Sequence, residues 1–210
     1  MTVQQVRFLS ASSADYTFQM HYAPDAVIRD ARDRYFAVAG FDNGGYADKW
    51  VRLKLGPVAV KFPNTAARLR SVKLHDIHHI LTEYDTSWTG EAEIGAWEIA
   101  SGCGCHAVAW TLNLGAFGIG LVMAPRRTYR AFIRGRHSRN LYPSVFREEM
   151  LNERVGSMRD ELSIRSDTPH ATAADRTMFA LWSTIAVVVS VAPTLSIVAA
   201  ALLLLHFLRR

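Results

Sequence analysis

The chain has 210 residues, a formal net charge of +5 and two cysteines. That length supports one domain with a buried core plus an appendage, and it is too long for a disulfide-stapled miniprotein. The two cysteines stand as Cys103-Gly104-Cys105, a spacing that makes a strained disulfide, and no second pair completes a zinc ribbon.

The first twenty residues are mixed and polar and predict no signal peptide. A helix is expected from Pro24-Asp25 towards Gly40, followed by a loop around Asn43-Gly44-Gly45. Val51, Leu53 and Leu55 alternate with Arg52 and Lys54. Gly56-Pro57 turns the chain, and Val58, Val60 and Phe62 alternate again. This pattern predicts a small β-hairpin.

A helix with Asn64 as its N-cap then carries His75-Asp76-Ile77-His78-His79. At about 100° per residue, His79 lies only about 40° round the helix from His75, and Asp76 about 100° round. Two imidazoles four residues apart on one face can reach one ion. Glu83, one turn on, is expected to support them, whereas His78 points away from the Asp76 edge. Asp85 to Gly90 is turn chemistry, and a second helix opens with Glu91 and Glu93, where the helix dipole favours carboxylates. The small Ala92, Gly95 and Ala96 let this helix approach the first, so Glu91 can face the histidines. His75, Asp76, His79 and Glu91 are therefore the predicted metal ligands. A zincin would need glutamate at position 76, and the histidine boxes of membrane di-iron oxygenases would need several such clusters.

Ala107 to Ala124 is an apolar, glycine-rich run, expected as a buried or lipid-lining helix in which Asn113 needs a partner. Residues 126–176 contain eleven arginines. Their position between two apolar segments suits an anionic lipid surface better than nucleic acid. One or two amphipathic helices are expected over 144–164 and a polar linker over 166–175. Met178 to Leu208 lacks any Asp, Glu, Lys or Arg, which predicts a membrane-embedded segment, either one Pro-kinked span or a hairpin.

The pattern His75-Asp76-x-x-His79-x11-Glu91 resembles the metal motif of a ubiquinone (coenzyme Q) biosynthesis family, the fourth of the Coq proteins. A later stretch agrees with it, from Phe146-Arg147-Glu148-Glu149 through Arg159-Asp160-Glu161-Leu162-Ser163-Ile164. The resemblance covers roughly residues 60–165. It implies a helical fold, Zn²⁺ on those four ligands (with Fe also considered), and action at a membrane on prenylated quinone precursors, by head-group decarboxylation or as an organiser of a biosynthetic complex. The hydrophobic tail is not part of that family's pattern.

The expected architecture is a mainly α-helical domain with a small β-hairpin and a C-terminal membrane-embedded segment. It divides into a metal-binding domain (1–165), a linker (166–175) and a transmembrane segment or hairpin (176–210). The expected location is a membrane, with the metal domain on its cytoplasmic side. The expected partners are a prenylated lipid or quinone precursor, other biosynthetic proteins or a second copy of the chain, and no nucleic acid. Two further readings stay open: a non-catalytic zinc-containing lipid-binding scaffold, and a metal-dependent hydrolase using Glu83 or Glu98 as base.

Overall fold

The computed structural model describes residues 4–6, 21–41, 44–55 and 58–189. The protein is mainly helical. Strands β1 (Gln4–Val6), β2 (Trp50–Leu55) and β3 (Val58–Pro63) form one small sheet in the order β1-β2-β3. The predicted hairpin is the antiparallel β2–β3 pair, registered with Val51 opposite Phe62 and Leu53 opposite Val60. β1 adds a parallel edge.

Helix α1 (Ile28–Ala39) buries Ile28, Ala31, Tyr35 and Phe36, a stripe at helical spacing. It ends at Gly40, whose left-handed φ of 68° lets its N–H reach the Phe36 carbonyl. A short antiparallel pairing ties its start to the chain near residue 154: Ile28 N–H donates to the Glu153 carbonyl and Val155 N–H to that of Ala26.

Helix α2 (Ala66–Thr82) carries the histidines. Its N-cap is Thr65, whose hydroxyl accepts from Arg68 N–H at 3.2 Å, and not the expected Asn64. Asn64 instead donates to the Gly45 and Asp48 carbonyls and so fastens the preceding loop. Two arginines satisfy the carbonyls at the far end of α2. Arg159 donates to Leu81 O and Ile80 O, and Arg134 donates to Thr82 O at 2.9 Å. Such carbonyls would otherwise be orphaned in the core.

Helix α3 (Trp88–Ser101) starts at Ser87, which accepts from Gly90 N–H. α4 (Ala107–Met123) and α5 (Pro125–Arg136) pack on it. The small residues of α3 face α4 rather than α2, which corrects the expected close approach of the two metal helices. A Cβ on Gly120 of α4 would stand 2.7 Å from the Ala92 methyl, and one on Gly95 3.0 Å from that of Ala116. The α3–α4 crossing therefore tolerates no added atom at Gly120.

A 3-10 turn (Glu148–Asn152) and α6 (Val155–Glu161) follow, in place of longer amphipathic helices. A last helix, α7, covers residues 173–189. Thr172 and Asp175 form a reciprocal capping box at its start, so the polar stretch 166–175 runs into its first turn. Phe179 then packs edge-on to Phe117, Tyr129 and Phe132, and Trp182 stacks on Trp110 at 5.1 Å. No helix among the described residues is long and apolar enough to cross a membrane. The greater part of the predicted membrane segment, residues 190–210, lies outside the described residues.

The arginine block is partly consumed by the fold. Arg127 pairs with Glu93 and Arg136 with Asp175, while Arg134 and Arg159 serve α2; Arg165 pairs with Asp167 on the surface. Arg126 and Arg130 are exposed.

Candidate metal centre

His75 and His79 leave α2 one turn apart and meet tip to tip, Nε2 to Nε2 at 3.1 Å, with rings perpendicular. Glu91, in the first turn of α3, places Oε2 3.7 Å from His75 Nε2 and Oε1 3.5 Å from His79 Nε2. Side-chain ligand atoms of the three residues all lie within 4.8 Å of one another. Donors about 2.0–2.1 Å from one tetrahedral ion stand about 3.3 Å apart, so this spacing fits a single metal ion.

The hydrogen bonds on the other ring nitrogens carry more weight than the distances. His79 Nδ1 lies 2.8 Å from the Tyr84 carbonyl oxygen, which can only accept, so Nδ1 holds the proton. His75 Nδ1 lies 2.9 Å from Glu98 Oε1, an acceptor again. In the neutral rings both Nε2 atoms are consequently lone pairs, pointed at each other and at a carboxylate. Three acceptors in contact repel unless a proton on one ring or a metal ion sits among them. A backbone carbonyl behind one ring and a carboxylate behind the other is the usual support of histidine ligands.

Without a metal, a proton can fill the cation's role. Burial opposes charge on His75, but Glu98 and Glu91 outweigh it and raise the pK of its imidazole well above the usual value. Burial likewise raises the Glu91 carboxyl, but the two imidazoles prevail and bring it down to about 2. The pocket is built to hold a cation and a carboxylate together. The residues present fit a divalent metal on His75, His79 and Glu91; the metal's identity is not fixed by this geometry.

Asp76, the fourth expected ligand, is outside this group. Its Oδ2 accepts from Tyr46 Oη at 2.5 Å, and burial raises its carboxyl above the usual range despite the nearby histidines. Glu83 is not a support for the centre, contrary to expectation. It is the left-handed C-cap residue of α2, and its carboxylate takes Tyr22 N–H, Arg159 and His21. At 80° from His75 on an ideal helix Glu83 would follow Asp76, but α2 ends first.

Glu98 is the support that sequence reasoning did not assign. Fully buried, it accepts from His75 Nδ1, from His78 Nδ1 at 2.6 Å, from Tyr142 Oη at 2.7 Å and from Asn113 Nδ2. Burial raises the Glu98 carboxyl, but His75 and His78 outweigh it and hold it well below the usual range. A signal was available: Glu98 follows Glu91 by seven residues, two turns along the same face of α3. Asn113 thereby finds the partner it needed. His78 is kept neutral by burial, donating to Glu98 and accepting from Leu141 N–H at 3.0 Å, so it takes no part in the metal group.

Both cysteines are free. Cys103 is buried beside Asn113, with its thiol pushed up by burial and by Glu98, and Cys105 is exposed. Neither belongs to the metal group.

Beside the centre lies a cavity of about 330 Å³. His75, Asp76 and Glu91 line one part, and Val108, Leu112, Gly115, Ala116 and Ile119 of α4 another. The Gly115 position opens onto free space, with nothing within 4 Å of a Cβ built there. Arg68 also reaches this wall, its guanidinium pK depressed by burial. No protein-family model, curated protein or solved structure matches the chain.

Proposed function

We propose that this protein holds a divalent metal, zinc in the first instance and iron as the alternative, and seats the polar head of a prenylated lipid or quinone precursor beside it. The observation that carries the reading is the cavity. One continuous space joins the His75–His79–Glu91 centre to the apolar face of α4, and its volume is in the range of small-ligand sites. An amphiphile with a polar head and an isoprenoid tail matches that polarity gradient.

The sequence motif supports placing the protein in ubiquinone or related prenylated-lipid metabolism, with decarboxylation of the head group as the reaction proposed. Three protein ligands leave a coordination position for water or substrate, the pattern of catalytic rather than structural zinc. When bound, the metal would supply Lewis-acid character at a head-group oxygen. Glu91 balances charge at the centre, Glu98 and the Tyr84 carbonyl fix the two imidazoles, and the α4 wall excludes water from the tail. The hydrolase reading loses ground because its proposed bases are saturated: Glu98 by four donors and Glu83 by three.

A membrane location fits as well. Val122 is 84% and Met123 60% exposed at the end of α4, just before the exposed Arg126. Leu181 and Val187 to Val189 are exposed on α7. An apolar tip beside arginine suits an anionic bilayer surface. We therefore keep residues 1–165 as the metal domain, placed on the cytoplasmic face, and residues 176–210 as its anchor.

The test is lipid extraction from the purified full-length protein followed by mass spectrometry. Wild type should retain a prenylated aromatic lipid. Gly115→Leu, which fills the cavity, should lose the lipid and keep the metal. Absence of prenylated lipid from wild type, together with normal quinones in a deletion strain, would overturn the proposal.

A further inference from the structure

Tyr35 projects from the buried face of α1 and is 1% exposed. Its ring is stacked on His79, with centroids 5.3 Å apart and planes within 24°, and it meets Phe41 edge-on. The ring is thereby locked against a metal ligand. It also lines the cavity. Yet its hydroxyl has no hydrogen-bond partner among the described residues, unlike Tyr46, which holds Asp76, and Tyr142, which holds Glu98.

Tyr35 Oη is not among the fully buried side-chain atoms without a partner, which among the described residues are Arg32 Nε, Trp97 Nε1 and Ser183 Oγ. The hydroxyl of this otherwise buried ring therefore keeps access to the cavity that Tyr35 lines, where a ligand oxygen can meet it. A phenol is protonated at neutral pH, so the hydroxyl is a donor, on a ring held against His79 at the metal end of the cavity, with its proton unused by the described residues.

We infer that the Tyr35 hydroxyl donates a hydrogen bond to an oxygen of the ligand's head group when that head is seated at the His75–His79–Glu91 centre. The inference rests on the proposal that the cavity receives an amphiphile. Tyr35 then orients the head group, while α4 holds the tail. A donor held in place discriminates against ligands lacking the acceptor, because a seated ligand without it would leave that donor unpaired.

The test uses zinc-loaded full-length protein and two probes: 4-hydroxybenzoate bearing a geranyl chain on its ring, and geranylbenzene, which lacks the head-group oxygens. Calorimetric titration of wild type should show tighter binding of the first. Tyr35→Phe should weaken the first by about tenfold and leave the second unchanged. Zinc content and melting temperature should be unaltered, because the hydroxyl makes no hydrogen bond to the described residues. Equal affinity of both proteins for the hydroxybenzoate probe would overturn the role of Tyr35 alone. Loss of zinc or a lower melting temperature in Tyr35→Phe would overturn it too, by showing the hydroxyl to be structural. Failure of wild type to bind either probe would overturn the amphiphile reading itself, and the inference with it.

Discussion

Two of the places where this molecule brings histidine and carboxylate together differ in how the hydrogen bonds are met. At the junction of α5 and α7, the Asp175 carboxylate accepts from Arg136 Nε, His137 Nε2, Thr172 N–H and the Thr172 hydroxyl. Its acceptors are met by the protein's own donors, and the cluster is a clamp. Between α2 and α3 the donors run out. The Nδ1 protons of His75 and His79 are spent on Glu98 and Tyr84, leaving the two Nε2 atoms and Glu91 to share a cation, a proton or a metal. Hydrogen-bond saturation, rather than residue type, separates a structural cluster from a ligand site.

The largest effect is expected where the two behaviours touch. Glu98 is saturated yet serves the unsaturated site. Glu98→Ala would strand the buried donors of His78, Tyr142 and Asn113, and should cost about 3–5 kcal/mol in chemical denaturation. The milder Glu98→Gln should leave a folded protein whose metal affinity falls about 10–100-fold, since the support of His75 is altered. Unchanged metal affinity would mean the Glu98 contact does not tune the ligand.

His79→Ala and Glu91→Gln come next. Each should reduce bound metal from one per chain towards none, read by elemental analysis of the purified protein, with the fold retained. His78→Ala should do the reverse: it should lower stability, because His78 bridges Glu98 and Leu141, while the folded fraction keeps its metal. Equal metal loss from His78→Ala and His79→Ala would erase the distinction drawn here.

A smaller effect is expected at the clamp. Burial raises the Asp175 carboxyl, but Thr172, His137 and Arg136 outweigh it and hold it well below the usual range. A carboxyl with a depressed folded pK contributes stability above its unfolded value, near pH 3.9, and that contribution is lost as pH falls towards the folded value. Wild type should thus lose stability on acidification through pH 4 and below. Asp175→Ala should flatten part of that acid limb and cost about 1–2 kcal/mol at pH 7 through the lost cap, without touching the metal. Gly115→Leu should have the smallest effect on stability, read by chemical denaturation, because its side chain enters open space.

Much of this was legible in the sequence where local rules govern. Helical spacing put His75 and His79 on one face, strand alternation gave the β2–β3 pair, and Gly40 marked the end of α1. What stayed hidden depends on tertiary packing. That Asp76 would turn to Tyr46, thirty residues away, has no local signature. Nor does the choice of α4 over α2 as the neighbour of the small residues on α3, which follows from how three helices share one core. Glu83 illustrates the limit of helical-wheel reasoning: its angle suits the centre only if the helix continues, and α2 ends before it. Glu98 was visible as a residue two turns from Glu91, but its four donors come from α2, α4 and the Tyr142 loop, and only the folded chain assembles them.

The central claim is that His75, His79 and Glu91 hold a metal with a position open to the cavity. X-ray absorption spectroscopy of the zinc-loaded full-length protein tests it most directly. The account predicts a four-coordinate shell of two imidazole nitrogens and two oxygens, one from Glu91 and the other exchangeable with solvent. Sulfur in the shell, or four ligands all assigned to protein side chains by mutation, would contradict it.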